Sequence, residues 1–152
     1  MKTLSRARDK AEVLRRLRAL RPDSARQWGR MSAHQMVCHL ADVFVMGTEQ
    51  KPVSSASGVR ERTIIKWIAL YTPLRWPPGI QTRPEVDQEA GGTKPTAFAA
   101  DVVSLEALVE IVTTRPGFFA GRRHPIFGPL SERAWMRWAY LHMDHHLRQF
   151  GV

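Results

Sequence analysis

A single cysteine, Cys38, occurs in the 152 residues. An internal disulfide is therefore excluded, and a lone thiol suits a reducing compartment. Long hydrophobic runs are also missing. The longest, residues 64–70, is interrupted by Lys66 and falls short of the roughly 18 to 20 apolar residues that a membrane span needs. The first ten residues are charged and hold no apolar stretch of the kind that makes a signal peptide. A cytoplasmic protein without a membrane segment is expected. There are no internal repeats or low-complexity tracts, and no period-two alternation that would mark strands.

Acidic residues are in deficit: 14 Asp and Glu stand against 23 Lys and Arg, for a net charge of +9. Most of the surplus lies in residues 1–30, where ten Lys and Arg face only Asp9, Glu12 and Asp23. A helix charged in this way would suit nucleic acid or another anionic partner. It equally describes a solvated helix face, because Leu4, Ala7, Ala11, Leu14, Leu17 and Leu20 form an ordinary core stripe beneath the charges. No nucleic-acid motif accompanies them.

What is present is the composition of a globular domain, 43% hydrophobic and 24% charged. One domain over residues 1–152 is expected, large enough to bury roughly 70% of its unfolded surface. Apolar residues at three- and four-residue steps predict a first helix from near Ser5 to before Pro22. Ser32 and Gln35 make a capping-box pattern that opens a second helix over 33–48, with Met36, Leu40, Val43 and Phe44 inward. Trp28 is expected to pack at its entrance. Residues 51–58 read as a loop, and a third helix over 59–71 must stop near Pro73. Residues 77–96 hold four prolines and the pair Gly91-Gly92, an irregular connection long enough to suggest a lid or mobile segment. A fourth helix over 101–114, capped by Asp101 or Ser104, precedes a second loop over 115–130. Ser131 then caps a last helix reaching about Gln149. Its Trp135, Trp138 and Tyr140, with the stripe Met136, Met143 and Leu147, predict burial around much of its circumference. The architecture to expect is an all-α helical bundle with long inter-helix loops.

Six histidines stand at 34, 39, 124, 142, 145 and 146. On a helix, 142 and 146 are four apart, so both rings leave one face a turn apart, the spacing by which two imidazoles of one helix chelate a metal. The Glu that follows the first such His in zinc proteases is replaced here by Met143, which excludes that protease class. His39 lies on the inward stripe of the second helix and is the best third ligand. A neutral imidazole in an apolar interior needs a partner, which a metal or a backbone carbonyl supplies. His145 stays open as a ligand, a supporting group or a solvent-facing residue. His34 is turned well away from His39 and reads as surface. Three imidazoles with positions left for water describe an open catalytic site, and they suit Zn, Ni, Fe or Cu. Asp42, three after His39, is a candidate to orient that ring. Cys38, about 100° from His39 around the helix, reads as a small core residue. Trp138 is core or pocket lining.

The stretch at 28–42, Trp-Gly-Arg-Met-Ser-Ala-His-Gln-Met-Val-Cys-His-Leu-Ala-Asp, resembles the second-helix signature of the DinB-like (DinB/YfiT) superfamily of metalloenzymes. The stretch at 124–130, His-Pro-Ile-Phe-Gly-Pro-Leu, and that at 142–151, His-Met-Asp-His-His-Leu-Arg-Gln-Phe-Gly, resemble its DUF1569 branch, a family of unknown function. Residues 51–123 carry little to match. The resemblance implies a four-helix bundle of the DinB/YfiT type with a divalent metal on His39, His142 and His146, which decides against His145. Zn or Ni leads, with Fe or Mn open. It also implies frequent homodimers. Characterised branches are transferases or isomerases that use bacillithiol, mycothiol or glutathione, whereas the DUF1569 branch implies no activity.

The leading expectation is a metal-dependent transferase acting on a small-molecule substrate with a low-molecular-weight thiol as cosubstrate. A metal on three neutral imidazoles lowers the pKa of a bound water or thiol. Arg122 and Arg123 are candidates to recognise carboxylates. A hydrolase using metal-bound hydroxide is the nearest variant. The alternative from another class is a non-enzymatic module that binds nucleic acid or another anion through its basic N-terminal helix.

Overall fold

The computed structural model describes residues 1–47, 51–55 and 58–152, and of Arg62 only the backbone. Helix α1 spans Ala7–Ala19. Its buried side is Val13, Leu14 and Leu17, extended by Leu4 and Leu20 at either end, while Ala7 and Ala11 of the expected stripe are exposed. At about 100° per residue, Val13 falls between Leu17 and Leu20, and both alanines fall beyond Leu14. The basic side chains around this stripe are tied to neighbouring helices. Lys10 meets Glu110 at 2.8 Å, Arg18 meets Glu106 at 2.8 Å and Arg16 meets Asp144 at 2.7 Å.

Helix α2 covers Ala33–Met46. The capping box is present: Ser32 Oγ accepts from the Gln35 amide at 3.1 Å, and Gln35 Oε1 accepts from the Ser32 amide at 2.8 Å. Met36, Leu40, Val43 and Phe44 are buried as their spacing predicts. The helix ends at Met46, and the expected end at Thr48 lies outside the described residues. The third helix is less regular than expected. A π-helical turn, Glu61–Ile65, precedes α3, Lys66–Tyr71. Within it Thr63 Oγ1 donates to the Val59 carbonyl at 2.8 Å and so competes for the acceptor that an α-helical amide would use.

Residues 77–96 are folded rather than structureless. A short 3-10 turn, Pro84–Val86, is closed by the amides of Gly91 and Gly92, which donate to Pro84 O at 2.9 Å and Asp87 O at 2.7 Å. Helix α4 spans Phe98–Thr114, starting three residues before the expected 101. Neither Asp101 nor Ser104 is its N-cap; that position is Ala97, which makes no side-chain bond. Asp101 sits inside the first turn and accepts from the Thr96 amide at 3.1 Å, so its carboxylate still serves the helix start. The sequence shows no strand pattern, but the structure has a two-residue antiparallel ladder of β1, Arg123–His124, and β2, Gly128–Pro129. A ladder this short has no room for alternation.

Helix α5, Glu132–Gln149, is capped by Ser131, whose Oγ accepts from the Ala134 amide at 3.2 Å. Trp135, Met136, Trp138, Ala139, Tyr140, Met143 and Leu147 are all buried on it. The long helices pack α1 on α4 and α5, and α2 on α4 and α5, with α3 against α5. The fold is all-α apart from the small ladder. Among the described residues no helix is long and apolar enough to cross a membrane. Because α2 and α5 are neighbours, their inward histidines face each other.

Candidate metal centre

His39 of α2 meets His142 and His146 of α5 in the interior. The Nε2 atoms of His39 and His142 are 3.1 Å apart. Ring centroids are 5.3 Å apart for His39 and His142, 4.7 Å for His39 and His146, and 4.9 Å for His142 and His146. One nitrogen from each ring lies within 4.8 Å of the other two.

Hydrogen bonds outside the cluster decide which nitrogens face inward. His39 Nδ1 is 2.8 Å from the Val86 carbonyl, so it carries the proton and Nε2 presents a bare lone pair. His146 Nδ1 is 3.0 Å from Gln149 Oε1. The Gln149 amide is itself oriented, since its nitrogen donates to the Trp28 carbonyl at 2.9 Å. His146 therefore also carries its proton on Nδ1 and turns Nε2 inward. His142 Nδ1 is buried without a partner among the described residues. Burial holds all three rings below the usual histidine range, and the neighbouring rings push His142 and His146 further down. Two imidazoles with inward lone pairs, His39 and His146, and a third, His142, whose tautomer no outside partner fixes among the described residues, form a donor set for a divalent cation. The residues fit a metal, and without a cation two facing nitrogens at 3.1 Å must share a proton.

Asp42 is buried but does not bond to His39 among the described contacts. It accepts from the Thr93 amide at 2.8 Å, Thr93 Oγ1 at 2.7 Å and Gln88 Nε2 at 3.0 Å, and pairs with Lys51 at 2.7 Å. Asp42 thus anchors the 84–93 turn, and that turn delivers the Val86 carbonyl to His39. Arg30 pairs with Asp87 on the same turn. His145 is buried, outside the three-nitrogen group, with its ring 5.9 Å from Trp28 and 6.1 Å from Trp76. Trp138 lies between His142 at 5.0 Å and His124 at 4.6 Å.

Several site residues escaped the sequence reading. Gln149 is three after His146, a spacing that marks it as a partner. Trp76 comes from the stretch between α3 and the 77–96 connection, its ring 6.0 Å from His142 and its Nε1 bonded to Ala69 O at 2.9 Å. His124 Nδ1 accepts from the amides of Ile126 and Phe127, both at 3.1 Å, and burial pushes this histidine down to about 3. A backbone carbonyl such as that of Val86 has no side-chain signal at all.

His34 is half-buried rather than on the surface, with Nε2 2.7 Å from Asp101. Cys38 lies 3.6 Å from the same carboxylate, and these three side chains form a second group with metal-ligand atoms. Their hydrogen bonds account for that grouping. Burial and the Asp101 charge push the Cys38 thiol up to about 12, so it stays a thiol at neutral pH.

A cavity of about 520 Å³ opens onto the three histidines. Trp76, His124, Phe127, Trp138 and His145 also line it. Its arginines are Arg75 and Arg83; Arg122 and Arg123 are not part of its wall. A smaller cavity of about 340 Å³, bordered by Trp28, Arg30 and Gln149, shares Ile80, Gln81, Thr82, His145 and His146 with it. The two spaces adjoin at the histidines.

No curated protein and no solved structure matches the chain. The sequence model of a family described as a protein of unknown function (DUF1569) matches residues 3–151. With nearly its whole length matched, the chain belongs to the DUF1569 family.

Proposed function

We propose that the protein is a metal-dependent enzyme that binds one divalent ion, Zn or Ni before Fe or Mn, through His39, His142 and His146. In this reading residues 1–152 form one domain of the DinB-like superfamily, a four-helix bundle of that type that works as a cytoplasmic homodimer. The observation that carries it is the convergence of three neutral imidazole nitrogens where two cavities adjoin. Bound there, the ion would act as a Lewis acid and hold a thiol or water as its anion near neutral pH.

The chain's own residues supply the rest. Val86 O and Gln149 Oε1 hold His39 and His146 as Nδ1–H tautomers, so that neither ring can turn away. Trp138 and Trp76 set their rings edge-on to that of His142, at 5.0 and 6.0 Å, and so limit its movement. Two cavities that adjoin at the histidines favour transfer between two substrates over hydrolysis of one. A low-molecular-weight thiol would enter from the side of Arg30 and Gln149, and its small-molecule acceptor would occupy the larger space. The rival reading, an anion-binding basic helix, loses support because Lys10, Arg16 and Arg18 already face carboxylates.

The test is elemental analysis of tag-free protein by plasma mass spectrometry beside the His39→Ala, His142→Ala, His146→Ala triple variant. About one metal per chain, lost in the variant, is expected. An equal metal content in both proteins, or none in either after incubation with Zn, Ni, Mn and Fe, refutes the proposal. Loaded protein is then screened for coupling of a thiol to an electrophile and for ester hydrolysis.

A further inference from the structure

The walls of the larger cavity carry information about the ligand that the histidines do not. Ile65, Ile68, Leu74 and Ile80 are 43%, 41%, 62% and 52% exposed, unusual values for large aliphatic side chains grouped within sixteen residues. All four line the cavity. A small molecule seated there would cover them, and exposed apolar surface gathered in a concavity marks a ligand site. Phe127 and Trp138 add aromatic surface deeper in.

Charge is one-sided. The cavity is lined by no Asp or Glu among the described residues, and its charged members are Arg75 and Arg83. A cationic ligand would lose its hydration there without gaining a counter-charge. His39, His142 and His146 line it as well. An aliphatic wall, a histidine cluster and a volume of about 520 Å³ suit a ligand with a long apolar body and one polar end.

We infer that this cavity takes an apolar small molecule, uncharged along its body, whose one electron-pair donor would reach an ion held by His39, His142 and His146. This deepens the metal-dependent reading and rests on it for the donor end only. The apolar body would be recognised whether or not a metal is bound.

The experiment is isothermal titration calorimetry of the zinc-loaded protein with straight-chain hydroxamic acids from acetyl to octanoyl. The Kd should tighten about 3- to 4-fold per added methylene, the value for complete burial of a CH₂ group, until the cavity is full. Ile68→Asp places a carboxylate in the wall at a position already 41% exposed, so the fold should survive, as circular dichroism will check. This variant should bind acetohydroxamic acid as the parent does and lose most of the chain-length dependence. A second series, 1-alkanols of matching length on metal-free protein, should show the same slope at weaker affinity. If acetohydroxamic acid binds but longer chains bind no tighter, the inference falls while the metal reading stands. If no zinc is retained, the metal reading falls, and the alkanol series decides alone: a slope supports the apolar cavity and a flat series overturns it. An unchanged slope in Ile68→Asp also overturns it.

Discussion

His124 makes the protein sensitive to acid in a way that can be isolated from its other histidines. Its Nδ1 accepts two backbone N–H groups and its ring is packed against Phe127, Trp135 and Trp138, at centroid distances of 4.8, 5.3 and 4.6 Å. A proton on Nδ1 would have to displace both hydrogen bonds, and the charge would lie in an apolar setting. Burial accordingly takes this group from 6.5 to about 3. Because the folded value is the lower one, the unfolded chain binds a proton first as pH falls, and stability is lost from pH 6.5 downward until about pH 3. At pH 5 the unfolded ring has been titrated through one and a half units, a loss of about 2 kcal/mol at about 1.4 kcal/mol per unit. Urea unfolding of the metal-free parent and of His124→Asn, both in chelator, would be measured at pH 7.5 and pH 5. Asparagine keeps an acceptor near the position of Nδ1 but has no titrating group. The variant should be less stable at pH 7.5, because it leaves the aromatic rings underpacked. The gap between the two proteins should narrow by about 2 kcal/mol at pH 5. His39, His142, His145 and His146 titrate in both and cancel. A gap that is the same at both pH values would refute the reasoning.

Other consequences are open to direct measurement. Gln149→Ala removes the acceptor that holds the His146 tautomer, and metal affinity should weaken about 10- to 100-fold in a chelator competition; an unchanged Kd would show that the bond does not matter. Gly92→Ala would put a Cβ 2.6 Å from the carbonyl carbon of Asp87. It should destabilise the fold by about 1–3 kcal/mol and, by moving the Val86 carbonyl, reduce the metal retained after dialysis. Stability and metal content equal to the parent's would contradict the role given to this turn. Cys38, buried and raised to about 12, should react slowly with a disulfide reagent at pH 8 and at once in denaturant. Fast modification of the folded protein would rule out the buried-thiol account.

Local chemistry made much of the fold legible. The Ser32–Gln35 box and the Ser131 cap mark helix starts because both act through atoms three residues apart in the chain. The inward faces of α2 and α5 follow from a 3.6-residue period that belongs to each helix alone. The start of α4 is not legible locally because Phe98, Ala99 and Ala100 carry no capping group, and Asp101 performs its service from within the first turn. The partial burial of His34 leaves no local signal, because its partner, Asp101, is 67 residues away.

The sequence by itself determined that His142 and His146 share a face and that His39 points inward, since side-chain direction around a helix depends on local backbone geometry. Only the tertiary structure decided that the three rings meet, that a loop carbonyl and Gln149 select the tautomers of His39 and His146, and that the space beside them is walled by isoleucines and leucine from one segment. A helical period gives the angle of a residue about its own axis. It contains no information about the distance to another helix, which is settled by how complete side-chain surfaces pack.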